Sequence, residues 1–307
     1  MTHAVEIESA TKRFGDVIAV DDLSLSIPEG AIYGFIGPNG SGKTTTLRMI
    51  LRIIHPDQGQ IRVLGEDSFT ADNDLVGYLP EERGLYKKMR VLELLQFFAA
   101  LKGNRDGKTD ALRWLDELGL AEWGNKKVET LSKGMSQKIQ FIASIIARPK
   151  LLILDEPFAG LDPVNSEVIK RTVLELRKQG TTILFSTHDM EVAENMCDYI
   201  CMMFKGKKVI DGTMDTIQGD YGQNVVRVKI ADGGDIQGQL ESLAEVEMVN
   251  DFGLVQELRL KPDADTQSLL RRLMELGTVR HFELCRPSLR DIFVRIAGPE
   301  SEEDSHE

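Results

Sequence analysis

The stretch "AIYGFIGPNGSGKTTTLRMILRII", residues 31–54, decides the fold of this 307-residue chain. It opens with a short and nearly continuous apolar run, which is typical of a strand buried in a parallel sheet. A glycine-rich loop follows, and the apolar residues after that loop are spaced as in a helix. A strand, a loop and a helix in this order form the first unit of an α/β domain.

The glycine-rich loop, Gly37 to Thr45, has the phosphate-binding pattern G-x-x-x-x-G-K-[ST]. Its glycines permit a tight, partly left-handed turn that aims backbone N–H groups inward. Lys43 is placed to reach the β- and γ-phosphates of a nucleotide, and Thr44 offers a hydroxyl group to Mg²⁺. The pattern does not by itself separate kinases, GTPases and motor ATPases. The candidate nucleotide-binding residues are Gly37, Pro38, Asn39, Gly40, Ser41, Gly42, Lys43, Thr44 and Thr45.

Two further apolar runs end on residues suited to hydrolysis. "LLILDEP", residues 151–157, delivers Asp155 and Glu156 at the carboxyl end of a strand, where α/β sheets place ligands. Asp155 is predicted to hold a metal ion, usually through water, and Glu156 to polarise an attacking water. The next run ends at His188, which would lie near Glu156 if the strands are parallel neighbours; a lone histidine here is otherwise structural.

The pattern between these strands changes to helices from about residue 84 to residue 150, with apolar residues recurring at three and four. The tetrapeptide Leu-Ser-Lys-Gly, residues 131–134, stands directly before the last of these helices. Ser132 is suited to cap backbone N–H groups, and Gly134 lets another molecule approach the chain closely. A helix start of this kind binds anions, so the chain carries two candidate anion-binding sequences.

Composition limits the class of protein. Hydrophobic residues make up 42% of the chain and charged residues 28%, as in ordinary globular proteins. The net charge of -12 argues against a protein that coats nucleic acid. No stretch approaches the roughly 18 apolar residues of a membrane span, and the N-terminus lacks a secretory signal. We expect a cytoplasmic protein whose three cysteines, Cys197, Cys201 and Cys285, are reduced and in or near the core.

In this order the motifs resemble the nucleotide-binding subunit of an ABC transporter, over roughly residues 4 to 220. The resemblance implies a P-loop α/β cassette with an antiparallel rim, a mainly parallel core sheet and the inserted helical subdomain. After a predicted hairpin, the order of predicted strands and helices changes near Tyr221. We therefore predict an ATP-binding domain over residues 1–220, a small α+β domain over 221–298 and a disordered acidic tail over 299–307. Arg286, Arg290 and His281 are expected at a surface or interface.

The resemblance assigns roles to single residues. It implies that Phe14 stacks on the adenine of ATP, with a core aromatic as the alternative. It makes Asp155 and Glu156 the end of the Walker B motif, residues 159–162 the D-loop and His188 the switch histidine.

Residues 131–135 occupy the place of the family's signature sequence, Leu-Ser-Gly-Gly-Gln. In this family two cassettes sandwich two ATP molecules head to tail, so Ser132 and Gly134 would contact ATP held by the partner chain. Lys133 replaces the first glycine and either adds positive charge near the phosphates or points into solvent. Met135 replaces the glutamine, whose hydrogen bonds it cannot make, so the strength of the ATP-bound dimer does not follow from the resemblance. A capped helix without this role would predict a monomer that hydrolyses ATP poorly.

A further departure lies at Glu81, where the family usually has a glutamine that binds Mg²⁺ and senses the membrane partner. A carboxylate is at least as good a ligand for a hard cation. The expected metal ligands are thus Thr44, Glu81 and Asp155. We expect Glu81 to alter the coupling between ATP hydrolysis and the membrane partner.

"LPEERGLY", "LSKGM" and the C-terminal module resemble the branch of the family that includes exporters of the sodium-efflux type. The resemblance implies an ATPase, homodimeric or heterodimeric, that powers a separate integral-membrane permease from the cytoplasmic face of the membrane. The permease would dock near Tyr86, Met89 and Phe97, although core packing also explains these side chains. The alternatives are a soluble ABC ATPase of DNA repair or translation, and an ATP sensor without turnover. The sequence does not specify the transported substrate.

Overall fold

The computed structural model describes residues 2–67, 73–82, 84–221, 225–231, 236–251, 253, 255–261 and 264–298. The chain divides into two compact units, Met1–Met214 and Asp215–Glu307. The division lies close to the change of character near Tyr221 in the sequence. The acidic tail predicted over residues 299–307 lies outside the described residues. Within the described part of the chain, no helix is long and apolar enough to cross a membrane.

An antiparallel sheet forms the predicted rim of the first unit, with the strand order β2-β1-β4-β5. Buried and exposed residues alternate along the second half of β2, because one face of the sheet covers the core and the other meets solvent. Shifts of register against β2 interrupt this alternation in β1. The strands are β1 (His3–Phe14), β2 (Val17–Pro28), β4 (Gln58–Val63) and β5 (Glu66–Asp67).

A six-stranded sheet forms the centre of the first unit, with the order β10-β9-β3-β8-β7-β6. Every residue of β3, β7 and β8 is buried, as their continuous apolar runs predict. All neighbours are parallel except β9 and β10, which form the predicted hairpin. The strands are β3 (Ile32–Ile36), β6 (Val76–Leu79), β7 (Leu151–Asp155), β8 (Thr182–Thr187), β9 (Tyr199–Phe204) and β10 (Lys207–Gly212).

Three helices make the inserted helical block, namely α2 (Val91–Leu101), α3 (Gly107–Glu117) and α4 (Lys133–Ile145). Their apolar faces share one core with β7, in which Leu95, Trp114 and Phe141 are almost fully buried. A Cβ at Gly77 of β6 would lie 2.3 Å from the Ser144 carbonyl oxygen, so α4 packs directly on the backbone of the central sheet. Further helices of this unit are α1 (Lys43–Ile50), α5 (Pro163–Lys178) and α6 (Met190–Met196), whereas α7 (Met214–Asp220) belongs to the second unit except for its first residue.

A buried carboxylate fastens α3 to the turn after α4. Asp110 is 3% exposed and accepts hydrogen bonds from Arg148 Nε at 3.0 Å and Nη2 at 2.9 Å. Asn104 Nδ2 donates to the same carboxylate at 2.8 Å and to the Ile146 carbonyl oxygen at 2.6 Å. Burial raises the pKa of Asp110, but the bonds from Arg148 and Asn104 outweigh it and hold the pKa below its usual range.

The second unit is the predicted α+β module, an antiparallel sheet of order β12-β13-β11-β14. Its core is formed by Val226, Val228, Leu258, Leu269 and Leu273. Its strands and helices are β11 (Val225–Ala231), α8 (Ile236–Glu241), β12 (Val246–Asp251), β13 (Gln256–Leu260), α9 (Thr266–Leu276), β14 (Thr278–Cys285) and α10 (Leu289–Ala297).

The basic residues His281, Arg286 and Arg290 are exposed, as expected from the sequence.

The three cysteines are reduced and in or near the core, as expected. Cys201 is buried and Cys197 and Cys285 are partly buried, and all three are free thiols. Burial raises the pKa of each of these thiols, so they remain protonated and unreactive at neutral pH.

Replacing the buried carboxylate should weaken the fold in a pH-dependent way. Asp110→Asn is expected to lower the free energy of unfolding by about 1–3 kcal/mol at pH 7, because Arg148 loses its buried partner. Since the folded-state pKa is depressed, the contribution is present above the unfolded pKa of about 3.9 and is lost as the pH falls through the folded value. Urea unfolding at pH 7 and at successively lower pH measures the difference between wild type and variant.

The matched control is Asp106→Asn, because Asp106 lies 3.9 Å from Arg148 but its side chain is 71% exposed. An exposed ion pair of this kind contributes little. Equal destabilisation by both variants, or a difference that does not shrink at low pH, would contradict this account of the Asp110 cluster.

Candidate functional site

The loop between β3 and α1 has the backbone shape that phosphate binding needs. Gly37, Gly40 and Gly42 have φ values of 145°, 77° and 105°. A Cβ at Gly37 would lie 2.2 Å from the Met203 carbonyl oxygen, and one at Gly42 would lie 2.4 Å from the Ala19 carbonyl oxygen. Glycine is therefore required at both positions by conformation and by space. The loop opens onto the N-terminus of α1, where unpaired N–H groups attract anions.

Lys43 places a buried ammonium group inside this loop. Its side chain donates to the Gly37 carbonyl oxygen at 2.7 Å and to the Pro38 carbonyl oxygen at 2.9 Å. Burial lowers the pKa of Lys43, and the charges of Glu156, Asp155 and Glu81 oppose that shift. A cation with three carboxylates around it and phosphate-binding N–H groups beside it is suited to a polyphosphate with a counterion.

A hydroxyl group and a carboxylate meet at the carboxyl end of β7. Thr44 Oγ1 lies 3.3 Å from Asp155 Oδ1, which also accepts a short hydrogen bond from Ser186 Oγ. Asp155 is 2% exposed. Hard cations prefer such oxygen ligands, and Mg²⁺ in nucleotide sites takes only one or two from the protein and the rest from phosphates and water. Thr44 and Asp155 therefore fit Mg²⁺, and Glu81 stands exposed after β6, close enough for its charge to act on Lys43.

Glu156 and His188 lie side by side at the ends of β7 and β8. His188 Nδ1 lies 3.0 Å from Glu156 Oε1, where the Glu156 side chain is 11% exposed and the His188 side chain 60% exposed. Glu156 has a φ of 48°, an unusual left-handed conformation for a side chain of its size. Its N–H donates to the Ser186 carbonyl oxygen at 3.2 Å and to Ser186 Oγ at 3.1 Å, which holds that conformation.

The signature position begins α4 as the sequence predicts. Ser132 is exposed and its Oγ accepts from the Met135 N–H at 3.3 Å, so it caps the helix. Lys133 is exposed, whereas Met135 packs partly buried against the core of the helical block. A Cβ at Gly134 would lie 3.2 Å from Asn165 Nδ2. Within the described residues, no hydrogen bond or ion pair joins Ser132 to the loop of Gly37 to Thr45, so the two anion-binding segments are separate within this chain.

Phe14 lies at the end of β1, opposite Val17 of β2, and β2 passes the glycine-rich loop at Ala19. The ring is 51% exposed, and Lys12 Nζ lies 5.5 Å from its centroid. The alternative that Phe14 is a core aromatic is wrong, because the hairpin holds this side chain on the solvent face of the rim.

Two buried residues that the sequence analysis did not identify form hydrogen bonds to the segment that carries Asp155 and Glu156. Ser186, buried in β8, touches both Asp155 and the Glu156 N–H. Gln137, buried in α4, donates to the carbonyl oxygens of Pro157 and Ala159. A polar residue in an apolar strand run was the available signal for Ser186, whereas nothing distinguishes Gln137 from the other polar residues of its helix.

Comparison with protein-family models gives two matches. Residues 20–159 match the model described as "ABC transporter". Residues 212–297 match the model described as "ATP-binding protein DrrA1-3-like, C-terminal domain". The two matches together include the glycine-rich loop, the helical block, the Asp155–Glu156 pair and the small α+β module.

Among curated proteins, the chain is 42% identical over 294 residues to an uncharacterized ABC transporter ATP-binding protein of Bacillus subtilis, covering 95% of this chain and 98% of the relative. It is 32% identical over 306 residues to the Nod factor export ATP-binding protein I of Burkholderia lata, covering 97% of this chain and 98% of that protein.

A solved ATP-binding subunit of an ABC transporter has the same fold, with a TM-score of 0.65 and 27% identity, covering 72% of this chain and 94% of the solved one. The predicted cassette fold, with its P-loop and mixed sheet, is thereby confirmed. Together with the relatives, which match nearly their whole length, this shows that the chain belongs to the ABC transporter family as an ATP-binding subunit, a cassette that binds ATP and hydrolyses it to power transport.

Proposed function

We propose that the chain is the ATP-hydrolysing subunit of an exporter, working as a head-to-tail pair of cassettes with a separate integral-membrane permease. The pair is formed by two copies or by this chain and a related one, on the cytoplasmic face of the membrane. The observation that carries the proposal is the Glu156–His188 contact of 3.0 Å beside the glycine-rich loop, with Ser132 at a separate helix start. The export function named for the Burkholderia lata relative supports export over import.

ATP is held by backbone and cation together. The N–H groups of the loop from Gly37 to Thr45 surround the phosphates, and Lys43 exchanges its bonds to loop carbonyl oxygens for phosphate oxygens. Phe14 offers an exposed ring on which adenine stacks. Thr44 and Asp155 would hold Mg²⁺, with Glu81 as a further predicted ligand, and the ion would neutralise phosphate charge.

Hydrolysis is assigned to Glu156 and His188. The Glu156 carboxylate accepts a hydrogen bond from a water and draws it toward the γ-phosphate as a general base. His188 Nδ1–H donates to that carboxylate. In the imidazolium form, in which both ring nitrogens carry a proton, Nε2–H also donates to a phosphate oxygen. The Glu156 carboxylate lies close enough to Lys43 for its charge to raise the pKa of that lysine against the effect of burial.

The second half of each site comes from the partner cassette. Ser132 Oγ and the N–H groups near Gly134 stand exposed at the positive end of α4, a helix of 13 residues. They supply the γ-phosphate contact to ATP held by the partner's glycine-rich loop. Lys133, also exposed there, adds positive charge.

The permease is proposed to dock on exposed aromatic side chains of the helical block. Tyr86 is 57% exposed and Phe97 38% exposed, and their rings meet edge to face at 5.8 Å. Core packing accounts for Met89, which is partly buried, but not for these two rings. Beside them lies a cavity of about 370 Å³ lined by Tyr78, Leu85, Phe98 and other residues of β6 and α4.

The other functions considered from the sequence are not favoured, because the matched relatives are ATP-binding proteins of ABC transporters. A sensor without turnover would require that Glu156 have no catalytic role.

Glu156→Gln should abolish turnover while preserving ATP binding, because glutamine keeps the shape of the side chain but cannot take a proton. We expect kcat to fall by roughly 10²–10⁴-fold, as for the loss of a general base. Phosphate release and nucleotide binding are measured on the same preparations, with Glu167→Gln as the control because Glu167 is an exposed carboxylate on α5. Equal inactivity of wild type and Glu156→Gln, with ATP still bound, would favour the sensor.

Ser132→Arg should leave ATP binding intact and abolish turnover, because a bulky side chain there blocks the partner's γ-phosphate. Thr130→Arg, at an exposed position just before α4, is the control for the added charge. Mixing Ser132→Arg with Lys43→Ala tests the sharing directly. In a mixed pair one site carries both defects and the other carries none, so activity should return. If Ser132→Arg alone keeps its ATPase activity, or if the mixture of the two variants stays inactive, Ser132 only caps α4 and does not contact the partner's ATP.

Glu81→Ala should uncouple hydrolysis from transport, because Glu81 follows β6 and precedes the helical block in the chain. ATPase activity of the isolated cassette is expected to remain, since Thr44 and Asp155 still fit Mg²⁺, whereas transport by membranes containing the co-purifying permease is lost. Glu82→Ala is the control, since Glu82 is a neighbouring exposed carboxylate. Unchanged transport in Glu81→Ala would contradict this role.

A further inference from the structure

Gln137 is a buried polar residue to which the mechanism above gives no role. It lies in α4, five positions after Ser132, and is 4% exposed. Its Nε2 donates to the Pro157 carbonyl oxygen at 3.1 Å and to the Ala159 carbonyl oxygen at 3.3 Å. The helix that begins at Ser132 is thus bonded to the loop that begins at Glu156.

The two segments are also in direct contact at a second point. Gly134 approaches Asn165 Nδ2 so closely that a Cβ would lie 3.2 Å from it. Asn165 in turn donates its N–H to Asp162 Oδ1 at 3.0 Å, which caps α5 at the end of the same loop. The start of α4 therefore touches the loop near its beginning through Gln137 and at its end through Asn165.

The bonding of Gln137 is one-sided. Its Oε1 is buried and has no hydrogen-bond partner among the residues that the structure describes. An unpaired buried carbonyl costs free energy that an apolar side chain of similar size would avoid. The two donated bonds are therefore what an amide supplies at this position and an apolar side chain cannot.

We propose that Gln137 is a positioning residue for ATP hydrolysis, whose side-chain amide ties the loop from Glu156 to Asp162 to the helix that begins at Ser132. A phosphate bound at Ser132 then affects the placement of Glu156 in the same chain, and so links the two ATP sites of a pair. The link between sites rests on the shared-site function proposed above, whereas the positioning of Glu156 does not.

The test compares Gln137→Met with Gln140→Met. Gln140 lies one turn further along α4, is 7% exposed, and its side chain makes no hydrogen bond within the described part of the chain. For Gln137→Met we expect kcat to fall roughly tenfold to a hundredfold, the scale of a displacement of up to 1 Å of a catalytic group. KM should stay within about twofold, and the thermal unfolding midpoint should match that of Gln140→Met. Unchanged kcat, or an equal fall in Gln140→Met, would overturn the proposal.

Gln137→Glu keeps the side-chain size and serves if Gln137→Met does not fold. Its carboxylate cannot donate to the two carbonyl oxygens, but the protonated acid donates one bond. The ratio of its kcat to that of wild type should therefore rise as the pH falls, and a ratio independent of pH would overturn the proposal.

Combining Gln137→Met with Ser132→Ala tests the link between the sites. The combined loss of kcat should be smaller than the product of the two single losses, because both substitutions interrupt the same connection between Ser132 and Glu156. A loss equal to the product would overturn the link. If Ser132→Arg turned over ATP at the wild-type rate, the shared-site function would fail, yet the kcat loss in Gln137→Met would still measure positioning within the chain.

Discussion

The parallel pairing of β3, β7 and β8 is the constraint on which the rest of the structure depends. Backbone register sets Ile36 beside Thr187 and Asp155 beside Ser186. The loop after β3, the carboxylates at the end of β7 and the histidine after β8 therefore emerge at one edge of the sheet. Because all three strands are buried along their whole length, a shift by one residue would turn apolar side chains into the wrong layer. The hydrophobic core thus fixes the geometry of the polar site.

That dependence explains why so much was predictable from the sequence. Continuous apolar runs predict buried parallel strands, and the residue directly after such a run must lie at the ligand-binding edge. Glu156 and His188 were assigned in this way, Gly37 from the phosphate-binding pattern, and Ser132 from its place before a helical pattern. Ser186, Gln137 and the Asp110 cluster were missed for a common physical reason. Their partners lie far away in the sequence, and in part are backbone carbonyl oxygens that every residue carries.

The site holds one buried ammonium group, that of Lys43, among the three carboxylates of Glu156, Asp155 and Glu81. Although the chain has a net charge of -12, its negative charges are not the largest influence on the pKa of Lys43. Burial lowers this pKa, and the charges of Glu156, Asp155 and Glu81 restore it only in part. An ammonium group in this state gains more from a bound polyphosphate than an exposed lysine would, because it has already lost most of its hydration. Within the site, the N–H groups of the loop and the buried ammonium group of Lys43 are the groups that attract the phosphates.

In the proposed pair each cassette contributes half of each of two sites, and such a cassette needs a rigid connection between its own halves. The strained backbone at Glu156, with φ of 48°, is held on one side by Ser186 of β8 and, one residue later, by the amide of Gln137 from α4. If only the sheet held the Glu156 carboxylate, binding at Ser132 would not affect its position. If only the helix held it, it would not stay aligned with Lys43. Bonding from both elements places Glu156 where the central sheet and the helical block meet. A movement of the block relative to the sheet would therefore be felt at Glu156, the residue that we propose as the general base.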